Sequence, residues 1–193
     1  MGSIPRARRS DTRERIQQTA LQLFLSRGYA NTSLREIAEE LGVTKAALYY
    51  HFKTKEDILA ELSQQLGEPV DALIAWASGQ PPTPETKREL LRRYSAAVRD
   101  AAPIYRILQE NQATLRDLDI GEQLRQRVRA VSRLMSTGDG PLDVQVHYAS
   151  ALLTVHFGTF GLDEVAGEAE EKRAALLKVA MEILDAADRT PAG

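Results

Sequence analysis

Apolar residues recur along this chain at intervals of three and four, and no stretch alternates regularly between apolar and polar, so the pattern predicts helices and no strands. It is sharpest at Leu34, Ile37, Ala38 and Leu41, which stand at i, i+3, i+4 and i+7 and form one buried stripe. Ser33 followed by Glu36 has the spacing of a capping box, in which hydroxyl and carboxylate each satisfy a backbone N–H at the helix start. Gly42 offers the positive φ that ends such a helix. Thr44 then caps a second helix over 45–52, with Ala47 and Leu48 facing inward beside Val43, and with Lys45, Ala46, Tyr49, Tyr50 and His51 facing out. Two short helices joined by so brief a turn predict a helix-turn-helix, whose second helix lies in the major groove of DNA.

The same periodicity fills the rest of the chain. Asp11, with Glu14 three residues on, is expected to start a scaffold helix that buries Ile16, Ala20, Leu23 and Phe24 and ends at Arg27-Gly28; residues 1–10, basic and without period, are expected to be a disordered arm. Thr54 caps a fourth helix carrying Ile58, Leu59, Leu62, Leu66, Val70, Leu73, Ile74 and Ala77, with a kink expected at Pro69. After the loop at 79–84, Thr83-Pro84 opens a fifth helix over 85–101, with Leu90, Leu91 and Val98 inward and Lys87, Arg88, Arg92, Arg93 and Arg99 on a solvated face. Pro103 is expected to begin a short sixth helix, and three more follow over 122–135, 142–165 and 168–188. The fold class is all-α, with about nine helices.

Charge gives this row of helices a direction. The 193 residues carry a net −2, yet up to Lys55 ten basic residues face five acidic ones, so the first part holds +5 and the remainder −7. A basic end on an acidic body orients the molecule toward phosphates. The absence of cysteine excludes disulfides and thiolate chemistry. No apolar run is long enough for a membrane span, and the expectation is a cytoplasmic protein without membrane partners.

The ordered run RGYANTSLREIAEELGVTKAALYYHFKTKEDIL resembles the DNA-binding domain of the TetR family of bacterial transcriptional regulators, over about a third of the chain from Arg13 to Leu62. The resemblance implies a helix-turn-helix domain at 1–55 and a larger helical domain for ligand binding and dimerisation at 56–193. It implies a repressor that binds a pseudo-palindromic double-stranded DNA operator as a homodimer and is released by a small-molecule effector. An activator of the same fold, or a helical protein-interaction module that binds no DNA, are the alternatives.

By position in the motif, family members contact DNA through the equivalents of Ser33, Arg35, Thr44, Lys45, Tyr49, Tyr50, His51 and Lys55. The residue types agree. Lys45 suits a guanine edge or a phosphate, Tyr49 a thymine methyl or a phosphate, and His51 and Lys55 the backbone, while Ser33 and Thr44 stand at helix N-termini that favour a phosphate oxygen. Ala46 shares this outward arc but offers no side-chain hydrogen bond, and Tyr50 could equally pack inside the head. For the effector, an apolar lining with a few polar handles points to Trp76, Tyr94, Tyr105, Leu108, Asn111, Gln112, Val128, Tyr148 and Leu152, positions that also suit a packed core. Such a lining fits an apolar or aromatic molecule.

The last two helices carry more apolar surface than one neighbour can cover, which predicts a four-helix interface between two copies. Its candidates are Leu153, His156, Phe160, Leu176, Val179, Ala180, Ile183 and Leu184. His147 and His156 are out of metal-ligand register, and no cofactor loop or nucleophile elbow is present, so no metal, no cofactor and no enzymatic activity is expected.

Overall fold

A computed structural model describes residues 6–111, 118–136, 140–162 and 164–189, without the side chains of 6–10, 159 and 160. Among them the fold is all-α. Its eight helices are α1 (Arg6–Arg27), α2 (Leu34–Leu41), α3 (Lys45–His51), α4 (Lys55–Ser78), α5 (Pro84–Glu110), α6 (Ile120–Met135), α7 (Leu142–Gly161) and α8 (Ala169–Arg189).

The first three helices form as their local chemistry dictates. Ser33 Oγ accepts from the Glu36 N–H at 3.3 Å while Glu36 Oε2 accepts from the Ser33 N–H at 2.8 Å, closing the capping box. Gly42 adopts φ 70°, and the next N–H, of Val43, returns to the Ala38 carbonyl at 3.0 Å. Thr44 Oγ1 then accepts from the Ala47 N–H at 3.1 Å and starts α3. Ile16, Ala20, Leu23 and Phe24 of α1 are buried, as are Leu34, Ile37 and Leu48 of the two short helices. Phe24 meets Tyr29 edge-on, ring centroids 4.9 Å apart.

Five features differ from the sequence expectation. α1 begins at Arg6 and not at Asp11, because residues 6–10 hold arginine and alanine, good helix formers, and nothing that breaks a helix. Ala47 faces outward, leaving Leu48 as the one fully buried anchor of α3. α5 runs unbroken through Pro103, where a second helix was expected to start. Its buried stripe of Leu90, Leu91 and Tyr94 continues as Val98, Ala101, Ile104 and Ile107, so one missing N–H at the proline is outweighed by continuous packing. α7 ends at Gly161, short of 165. Lys87, assigned to a solvated face, is buried at 2% exposure with its ammonium 3.6 Å above the Tyr148 ring.

The chain divides into two compact units: one runs to Gln65 and adds Pro103–Gly121, the other comprises Leu66–Ala102 and the chain from Glu122 onward. This division is one of packing alone and does not test the functional boundary expected at 55/56. The core of the second unit joins Leu90, Leu91 and Tyr94 of α5, Val131 and Met135 of α6, Tyr148, Leu152 and Val155 of α7, and Ala180, Leu184 and Ala187 of α8. α7 and α8 approach closely because Gly158 leaves room for Leu176, into which a Cβ at that position would collide.

Candidate nucleic-acid interface

α3 is tied down at both ends and open along one side. At its start stand the Thr44 cap and Lys45, whose ammonium lies 5.3 Å from the Tyr49 ring one turn on. Lys45, Ala46 and Tyr49 are exposed, and Tyr50 is 60% exposed, so it belongs to the outer surface of the head. His51 is half-buried, its ring edge-on to Tyr50 at 5.4 Å. Lys53 adds a cation at the C-terminal end of the helix by donating to the Tyr49 carbonyl at 2.8 Å, where the helix dipole favours positive charge.

On α2, Ser33 is exposed at the cap, and hydrogen bonding from Ser33 holds the Glu36 carboxyl below its ordinary range. Arg35 is exposed and pairs with Glu39 at 2.7 Å one turn along. Lys55 is placed differently from the other candidates. Its ammonium donates into the chain itself, to the carbonyls of Tyr29 at 2.7 Å, Thr32 at 3.1 Å and Ala30 at 3.4 Å.

Arg13, which no sequence motif singles out, fixes the far end of α3. Its guanidinium donates to the His51 carbonyl at 3.0 Å, pairs with Glu61 through Nε at 2.7 Å, and lies 4.3 Å over the Phe52 ring. The Glu61 bond raises the guanidinium pKa further. Its partners are remote in sequence, so no local pattern could reveal the role. The result is a short helix presenting Thr44, Lys45, Ala46, Tyr49 and Tyr50 on one accessible arc above a buried anchor, the form of a reading helix.

The family profile of bacterial regulatory proteins, tetR family, matches residues 16–62, the stretch that contains this arrangement. Residues 16–62 are thus a TetR-type segment, a quarter of the chain. Over 52 residues it is 48% identical to the HTH-type transcriptional regulator AcrR of Shigella flexneri, covering 27% of this chain and 24% of that protein. Over 73 residues it is 37% identical to the HTH-type transcriptional repressor BepR of Brucella suis, covering 38% and 35% respectively. The chain thus spans only a quarter to a third of the length of these curated relatives. A solved TetR/AcrR-family regulator from Thermobifida fusca aligns over 89% of this chain and 97% of its own, with 27% identity and a TM-score of 0.55.

In the body of the chain, Tyr94, Tyr148 and Leu152 come together in the core of the second unit. Trp76 packs against that core under the Arg93 guanidinium at 4.1 Å, and Val128 is half-buried. The buried Tyr94 hydroxyl is 2.8 Å from His156 Nδ1, and burial lowers the histidine pKa. Tyr148 donates to Asp188 at 3.2 Å. Tyr105, Leu108 and Asn111 belong to the first unit and are half-buried, with Asn111 donating to the Ile107 carbonyl at 2.8 Å. Gln112 lies outside the described residues.

Of the residues expected at a two-fold interface, Ala180, Leu184 and His156 are buried within the chain's own core. Leu153 and Val179 are exposed, and Leu176 and Ile183 are half-buried. The Phe160 side chain lies outside the description. Among the described residues no cluster of metal-ligating side chains occurs, and no helix is long and apolar enough to cross a membrane.

Proposed function

We propose that this protein is a homodimeric, cytoplasmic transcriptional repressor without enzymatic activity. It holds a pseudo-palindromic operator until a small apolar or aromatic effector binds its helical body. The observation that carries the reading is the doubly capped α2–Gly42–α3 pair with the exposed arc of Thr44, Lys45, Ala46, Tyr49 and Tyr50. Residues to 55 read DNA, and 56–193 regulate and dimerise. With only Lys45 and Tyr49 well suited to base edges, most of the affinity comes from phosphates, and the two half-sites lie about one helical turn apart.

Support for the body's role comes from the aromatic core at Tyr94, Tyr148 and Trp76, and from relatives that are transcriptional regulators by name, one of them a repressor. Effector and operator then compete through the population of one conformation, so each weakens the other's binding by the same factor.

The test is selection of duplexes from random DNA by the full-length protein, followed by titration across salt concentrations. The expected outcome is a steep fall of log K with log salt, and a loss of tenfold or more when Lys45→Ala and Tyr49→Ala are combined. Binding that ignores both salt and the double substitution would refute the assignment.

A further inference from the structure

Lys55 opens α4, a position from which the resemblance would send its ammonium to a DNA phosphate. The geometry points elsewhere. The segment between α1 and α2 leaves the carbonyls of Tyr29, Ala30 and Thr32 outside any helix, and all three turn toward Lys55 Nζ, at 2.7, 3.4 and 3.1 Å. An ammonium has three donors, so this set uses its full capacity. The same ammonium lies 4.3 Å over the Tyr29 ring. The neighbouring Glu56 accepts from the Tyr29 hydroxyl at 2.7 Å, so the first two residues of α4 grip Tyr29 at both its backbone and its phenol. Thr32 is buried, its hydroxyl donating to the Gly28 carbonyl at 2.9 Å, and it immediately precedes the α2 cap Ser33.

We propose that Lys55 is a positioning residue for DNA binding: it clamps the 29–32 segment to the start of α4 and thereby sets the α2 N-terminus, with no phosphate contact of its own. Swinging Nζ out to a phosphate would break its bonds to the Ala30 and Thr32 carbonyls, leave the Tyr29 carbonyl with the Thr32 N–H at 3.3 Å, and lift the cation from the Tyr29 ring. A phosphate reached from the surface therefore has to be met by other groups, the exposed Lys45 among them.

The inference rests on the operator-binding reading, and the experiment separates the two. Full-length wild type and Lys55→Met are titrated against one selected duplex over a range of salt, with amide exchange recorded on the free proteins. The expected result is an affinity loss of tenfold or more at every salt concentration, an unchanged slope, and lost protection over 33–37 in the absence of DNA. A slope shallower by about 0.9, the signature of one lost phosphate contact, overturns the proposal. So does unchanged affinity of the folded fraction, which would leave Lys55 a purely structural role. Should the methionine variant unfold, Lys55→Gln keeps an amide donor without charge: positioning predicts a smaller loss at constant slope, a phosphate contact the full change in slope. If wild type itself shows no salt-dependent binding, the operator reading fails instead.

Discussion

Lys87 illustrates how a single side chain can act against the fold that holds it. Its ammonium is buried on the Tyr148 ring and makes no hydrogen bond among the described residues; loss of solvent lowers its pKa, and Asp188 acting through space restores only part. The ring face returns about 0.5–2 kcal/mol, against several for taking an ammonium out of water. Because the folded pKa lies below that of the unfolded chain, about 10.4, the unfolded state binds more protons as pH rises through that interval, and stability increases there. Below the folded pKa both states are protonated and the fold carries the whole penalty. Lys87→Met is expected to stabilise the protein at pH 7 by roughly 1 kcal/mol, raising Tm by about 2–4 °C, with the advantage shrinking toward pH 10.4. Thermal unfolding at the two pH values decides it: a lower Tm at neutral pH would mean that ring and carboxylate outweigh desolvation.

Among the elements, α2 and its turn have the most local origin. Gly42 at φ 70° has open space where a Cβ would point, so substitution there strains the backbone and nothing else. Gly42→Ala is expected to cost about 1–2 kcal/mol in urea unfolding and Gly42→Asn less, since asparagine tolerates the left-handed region. Equal costs would locate the penalty in packing. This locality explains what was legible in the sequence: the Ser33–Glu36 box, the Gly42 stop and the Thr44 cap are each completed within a few residues of chain. Ala47, Pro103, Lys87 and Arg13 were not legible for the opposite reason. Whether Ala47 faces the core depends on how α3 settles on Leu48. Pro103 stays helical because of a stripe that runs on to Ile107, and Lys87 and Arg13 meet partners on helices far along the chain. The exposed arc of α3 could be read from the motif, but the inward turn of Lys55 depended on where the 29–32 carbonyls point.

At the scale of the molecule, four of the exposed apolar residues among those described follow one line on α7, Leu142 at 76% exposure, then Val146, Leu153 and Phe157 at 59%, with Val179 exposed on α8; Leu25, Val165 and the α3 tyrosines lie elsewhere. Such a stripe is the face expected of the proposed homodimer. Phe157→Glu should convert the dimer to a monomer in light scattering at micromolar concentration and weaken operator binding, as a single head then faces each half-site alone. A dimer that survives the substitution would place the two-fold contact elsewhere.

The chain passes between its two compact units three times, within α4, α5 and α6. The segment that returns to the first unit brings Ile104, Ile107 and Ile120, all buried. A chimaera that grafts residues up to Gln65 onto a foreign body would therefore leave behind three buried isoleucines that belong to the same compact unit as the recognition helix. Exchange of DNA specificity between relatives is better attempted by replacing the outward residues of α3 than by moving the head as a block.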